Sequence, residues 1–146
     1  MDITVRKAQI QDIPDIIKMN DIFNGAGCTV ESVKESLKNC QNEIVFVAVH
    51  NNTAVGIICG QMKPSICYAD GLQCEITELF VCENYRKKGI AIKLIKQLEL
   101  EFEKNNVQEI ILQASKKNIA AQKLYKKCGY DVCERVVYRK YPYTRN

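Results

Sequence analysis

Arg86-Lys87-Lys88-Gly89-Ile90-Ala91 follows an apolar stretch, Ile76-Thr77-Glu78-Leu79-Phe80-Val81, and opens a helical pattern that runs from Ile92 to about Lys104. The order is strand, short glycine-containing loop, helix. This order aims several backbone N–H groups and the positive end of a helix dipole at one place. Such a place suits a phosphate or pyrophosphate. Arg86, Lys87 and Lys88 add charge that favours the same ligand. Gly89 permits close approach of the backbone, and Ala91 keeps the next turn small. By itself the spacing is common to many strand-to-helix turns with a solvated basic face, so its meaning depends on what surrounds it.

The chain has 146 residues, a length that suits one domain, residues 1–146, with one core. Hydrophobic residues make up 47 % and charged residues 26 %, the balance of a soluble globular protein. The N-terminal residues Met1 to Lys7 contain no apolar core and no cleavage site of a secretory signal. No apolar run is long enough to span a bilayer. These features point to the cytoplasm and away from a membrane. The net charge of +4 is too small to argue for nucleic acid. The lysines fall in two blocks, Lys87 to Lys96 and Lys116 to Lys127. That distribution suits a polyphosphate better than a duplex-binding face, although solvated helix faces account for most of them. The eight cysteines include no C-x-x-C, and His50 is the one histidine, so the spacing of a zinc site is absent and no metal is expected. Cys59, Cys74, Cys82 and Cys133 lie in apolar strand patterns and read as reduced core residues.

Outward from the loop, Ile3 to Arg6 alternates as a half-buried strand. Asp12 offers an N-cap and Pro14 a first turn for a helix running to about Phe23. Thr29 caps a second helix with Val30, Val33 and Leu37 on one face. Glu43–Val49 and Ala54–Met62 read as a hairpin turning at Asn51-Asn52, since Asn tolerates positive φ. Lys63 to Gln73 reads as a loop, and Cys74–Val81 as the next strand. In that strand Glu78 shares a face with Ile76 and Phe80 if alternation is regular. In the following helix Ala91, Leu94, Ile95, Leu98 and Phe102 form one stripe, with Leu100 unexplained on the opposite side. Glu109–Ala114 is a strand, and strand, helix, strand at this spacing makes a right-handed parallel unit. Asn118 caps a short helix, Ile119 to Cys128, with Gly129 after it. Tyr130 to Tyr138 reads as the last strand or two.

The order β-α-α-β-β-β-α-β-α-β resembles the GCN5-related N-acetyltransferase (GNAT) family from about Ile3 to Arg139. The residues that carry the resemblance are Glu78-Leu79-Phe80-Val81, Tyr85 to Ala91, Asn118, Ala121, Leu124-Tyr125 and Gly129-Tyr130. It implies an α/β (α+β) fold with a mixed, mostly antiparallel central sheet flanked by helices. It further implies a V-shaped splay between the fourth and fifth strands that admits acetyl-CoA as co-substrate. By the same resemblance the amides around Lys87, Lys88, Gly89, Ile90 and Ala91, with Arg86 before them, hold the pyrophosphate. Phe80 and Val81 offer backbone groups to the pantetheine arm, and Asn118 bonds that arm or simply caps its helix. Lys88 and Ala91 stand where many members have glycine, and the alanine is a common variant.

The resemblance also implies chemistry. Tyr125 can donate a proton to the leaving thiolate, since a phenol's pKa lies near 10; the alternative is a ring packed at the core edge. Glu78 can accept the amine's proton directly or through water; the alternative is a strand residue that pairs with a charge. Direct transfer in a ternary complex is sufficient. The family's acceptor site comes mainly from the first two helices and the loop between the third and fourth strands. Here those carry Asp15, Asp21, Glu31, Glu35 and Asp70, with Glu75 and Glu78 nearby, which favours a small cationic amine, aminoglycoside- or polyamine-like. A protein or peptide amine, or a non-catalytic acyl-CoA-binding regulatory domain, are the alternatives. Nucleic acid is not an expected partner. Family members are often dimers, and Val136 to Tyr143 could serve a homodimer.

Overall fold

The computed structural model describes residues 1–67 and 72–143. A five-stranded sheet in the order β1-β2-β3-β4-β5 forms the centre. Its strands are β1 (Thr4–Lys7), β2 (Glu43–His50), β3 (Thr53–Lys63), β4 (Leu72–Val81) and β5 (Val107–Leu112). The first four pair antiparallel, and β5 joins β4 in parallel. The β2–β3 hairpin turns at Asn51 and Asn52, whose φ values of 48° and 62° are those of a two-residue turn that matches strand twist.

Helices α1 (Ile13–Asn24) and α2 (Val30–Asn39) lie on one face of this sheet, and α3 (Ile90–Glu103) and α4 (Ile119–Lys127) on the other. On the α1 side, Ile16 and Met19 pack with Val47, Ala54, Ile57 and Phe80. On the α3 side, Leu94, Ile95, Leu98 and Phe102 pack with Phe46, Val55, Ile58, Cys74 and Ile76. The expected stripe of α3 is therefore its buried face, while Leu100 points to solvent and nothing in the structure explains it. The hydroxyl of Thr29 accepts the N–H of Ser32 and caps α2 as expected.

Several sequence expectations need correction. Asp12 precedes α1, but its carboxylate does not cap that helix: it accepts the N–H of Gln9 at 2.7 Å and both arms of the Arg6 guanidinium. The strand expected over Tyr130–Tyr138 does not form; the described residues from Asp131 onward are irregular and exposed. β-Branched and aromatic residues favour a strand only where a ladder partner is in register. Cys133 is accordingly an exposed thiol and not a core residue. No helix among the described residues is long and apolar enough to cross a membrane.

Candidate active site

The parallel pairing of β4 with β5 ends at Ile76↔Leu112, while β4 continues to Val81 against β3 alone. The second half of β4 thus has a free edge, and the two strands separate there. Phe80 and Val81 lie on this free portion.

A β-bulge precedes the opening. Cys59 faces Glu78 and Gly60 faces Ile76, so Thr77 is an extra residue on β4. Its hydroxyl donates to the Cys59 carbonyl at 3.2 Å. One extra residue exchanges the faces of everything beyond it. Cys74 and Ile76 face α3, and so do Leu79 and Val81, whereas Phe80 faces α1 and Glu78 lines a cavity on that same side. The expectation that Glu78 shares a face with both Ile76 and Phe80 is thus half corrected: it shares one with Phe80 only. The signal was present in the sequence as two adjacent polar residues, Thr77-Glu78, that shift the apolar phase from 74 and 76 to 79 and 81.

At the end of β4 the chain makes a short 3₁₀ turn, Glu83–Tyr85, and enters α3. Lys87 (φ 59°) and Gly89 (φ 78°) are left-handed and Lys88 between them is not, a backbone alternation that turns successive N–H groups into a concavity. Gly89 is the N-cap of α3 and supplies no capping side chain. Among the described residues no carbonyl takes up the N–H groups of Ile90, Ala91 and Ile92; the first helical bond runs from Lys93 to Gly89. A Cβ on Gly89 would meet nothing within 4 Å. The N-terminus of α3 is therefore open, uncapped and positively polarised, the donor set a pyrophosphate requires.

The basic side chains are arranged differently from a simple clamp. Arg86 Nε donates to the Val81 carbonyl at 2.9 Å, and its guanidinium lies 5.5 Å from the centre of the Phe80 ring. Lys88 Nζ donates to the Asn84 carbonyl at 3.2 Å and lies over Tyr85. Arg86 fastens the loop to the end of β4, and Lys88 fastens it to the 3₁₀ turn. Lys87 is exposed.

Asn118 is the N-cap of α4, its Oδ1 accepting the Ala121 N–H at 3.1 Å. Two turns on, Tyr125 is partly buried beside the α3-side core. Burial, with a smaller contribution from Cys128, raises its pKa above the usual phenol value, so the phenol is protonated at neutral pH. Its ring meets that of Tyr130 edge-on at 6.4 Å, and the Tyr130 hydroxyl donates to Glu99 Oε1 at 3.2 Å. The Tyr130–Glu99 contact was not anticipated from sequence, because nothing local links a helix residue to one 31 positions on.

Sheet, open splay, bulged β4 and uncapped α3 define an acyltransferase scaffold. The model of the acetyltransferase (GNAT) family matches residues 14–130, and the chain belongs to that family; it is an N-acetyltransferase. An N-alpha-acetyltransferase of Saccharolobus solfataricus is 30 % identical over 136 residues, covering 88 % of this chain and 80 % of that protein. The structure of an aminoglycoside acetyltransferase from an uncultured soil metagenomic sample, in complex with sisomicin, superposes with a TM-score of 0.83 over 97 % of each chain at 23 % identity. That of AAC(6')-Iy with the bisubstrate analogue CoA-S-monomethyl-acetylneamine gives 0.83 over 97 % of this chain and 99 % of the other, at 16 % identity. At these identities the two structures establish the common fold.

Proposed function

We propose that this N-acetyltransferase moves an acetyl group from acetyl-CoA to a primary amine by direct transfer, with Tyr125 and Glu78 serving the reaction. The observation that carries the reading is the uncapped N-terminus of α3 beside the unpaired half of β4. Those amides suit the pyrophosphate, with Lys87 and Lys88 adding positive field, and the backbone of Phe80 and Val81 suits an extended arm. Arg86 supports this by holding the loop against Val81, and the cap formed by Asn118 sets the direction of α4. When bound, acetyl-CoA supplies a thioester carbonyl and a thiolate leaving group.

Glu78 accepts the proton that the ammonium must lose, directly or through water, which frees the nitrogen lone pair. As the N–C bond forms and the C–S bond breaks, Tyr125 gives its phenolic proton to the sulfur. The raised pKa of Tyr125 supports the acid role, since it keeps the proton on the oxygen until charge develops on sulfur. A proton-transfer residue of this kind contributes about 10²–10⁴-fold in rate.

The acceptor is a cationic primary amine. Of the carboxylates expected on the acceptor side, Asp15 is engaged by the Ala54 N–H, Glu35 by Asn39 and Glu75 by Lys63. Asp21 and Glu31 are exposed, and Asp70 lies outside the described residues. Among the described members of that set, Glu78 alone lines the cavity under α1 and α2. The second reading, an α-amine of a polypeptide, is favoured by the similarity to the Saccharolobus N-alpha-acetyltransferase.

Calorimetry with acetyl-CoA tests the cofactor site. Wild type should bind, and Gly89→Trp, folded by circular dichroism, should lose at least tenfold in affinity. A thiol-release screen of amines then tests transfer, with Tyr125→Phe expected to lower kcat without changing acetyl-CoA affinity. Wild-type protein that binds no acetyl-CoA would sink the proposal.

A further inference from the structure

The cavity between α1, α2 and the sheet contains two carboxylates that have no partner among the described residues. Glu43 at the start of β2 and Glu78 on β4 both line it, and its volume is about 210 Å³. Cys59 lies directly beside Glu78 on β3, and opposite the residue two places after Glu43. Its thiol pKa is pushed up by burial, and further by those two charges. Among the described residues neither carboxylate makes a hydrogen bond or ion pair, although Asp12, Asp15, Glu75, Glu101 and Glu109 all do. Among the described residues no Lys, Arg or His lines the cavity; toward the helices its surface is mostly apolar, with Phe23 at the end of α1 and Val33 and Leu37 one turn apart on α2, and Asn20, Asn24, Ser32 and Ser36 contribute the polar remainder.

Two carboxylates on one cavity wall with no facing cation set a negative field that an arriving cation complements. The apolar part of the wall, at Phe23, Val33 and Leu37, rewards a group without polar atoms, because a hydroxyl or amide buried against it lacks a partner. The volume lies below the roughly 300–1,000 Å³ of sites that enclose drug-sized ligands, so the cavity receives one side-chain-sized group and the rest of a larger acceptor would lie outside it.

We propose that the acceptor is a primary amine bearing an apolar group of about leucine or phenylalanine size beside the nitrogen. The ammonium meets Glu78, the apolar group packs on Phe23, Val33 and Leu37, and Glu43 selects against acidic substituents. This rests on the N-acetyltransferase reading of the same site. A free amphipathic amine and a polypeptide α-amine with an apolar first residue share this chemistry.

The test compares kcat/KM by CoA thiol release for leucinamide, phenethylamine, short peptides beginning with Leu, Phe, Lys or Asp, spermidine and kanamycin. The apolar amines or peptides should exceed spermidine and kanamycin by at least about tenfold, the order of discrimination a hydrophobic pocket provides. Val33→Phe should raise KM for the phenylalanine-sized acceptors about tenfold while the affinity for acetyl-CoA is unchanged. Glu43→Gln should narrow the gap between Lys-first and Asp-first peptides. Peptides faster than leucinamide by tenfold identify a chain terminus as the source, and equal rates a free amine. Preference for kanamycin or spermidine overturns the apolar-acceptor inference and leaves the N-acetyltransferase reading standing. Acetyl-CoA binding without turnover of any amine overturns that reading, and the inference with it.

Discussion

Asp12 is 3 % exposed and still ionised. Burial pulls its pKa upward, but the Arg6 guanidinium and the Gln9 N–H outweigh that pull and hold the carboxyl below the usual range. A depressed native pKa contributes stability that is fully present above the unfolded value, near 4, and that is lost as pH falls through the native one. Asp12→Asn leaves Arg6 partly buried without its counter-charge and should cost about 3 kcal/mol at pH 7. Urea unfolding of both proteins from pH 7 to pH 3 should show the difference shrinking toward the acid end. A difference independent of pH would mean that the pair is not the source. Beside Tyr125, the proposed acid, Tyr130→Phe removes the hydrogen bond to Glu99 but keeps the ring that meets Tyr125. It should leave acetyl-CoA affinity unchanged and lower kcat by less than tenfold; a larger fall would place Tyr130 itself in the proton path.

Among the elements, β4 and α3 determine the site, and two of their contacts are readily tested. Gly60 on β3 sits under α3 so closely that a Cβ there would lie 2.5 Å from Phe102 Cζ and 2.9 Å from Leu98 Cδ2. Gly60→Ala should therefore destabilise by about 1–3 kcal/mol through overpacking, read as a lowered urea midpoint at unchanged slope. Thr77 separates the two halves of β4. Thr77→Val keeps the residue count and loses one hydrogen bond, worth about 1 kcal/mol, so turnover should survive. Deleting Thr77 restores plain alternation and would drive Glu78 toward the apolar α3 side, so acetyl transfer should vanish and stability fall by several kcal/mol. Turnover retained in the deletion would show that the bulge does not position Glu78. The bulge was legible as a phase slip; its consequence, which face the carboxylate takes, depended on β3 pairing.

For the whole molecule, the sheet buries both of its faces under helices, whereas the described chain after Tyr130 adds little to the core. Val136 and Tyr138 are 72 % and 92 % exposed, and Arg135 pairs with Glu109 at the surface. The double substitution Val136→Ser, Tyr138→Ser should change monomer stability by no more than about 0.5 kcal/mol. Sedimentation at two protein concentrations checks whether this exposed apolar segment joins two copies. A dimer abolished by the substitutions would assign it that role, and unchanged monomeric behaviour would remove the case for it.

The run of strands and helices up to α4, the Gly89 loop, the α3 stripe and the caps at Thr29 and Asn118 were all determined by sequence alone, because each element and cap is signalled by residues close to one another along the chain. The side of the sheet that Glu78 faces, the engagement of Arg86 with Val81, the Tyr130–Glu99 contact and the irregular course of Asp131 to Tyr143 were decided only by tertiary structure. Each depends on a strand register or a packing partner far along the chain, and a one-residue change in register exchanges the two faces of a strand.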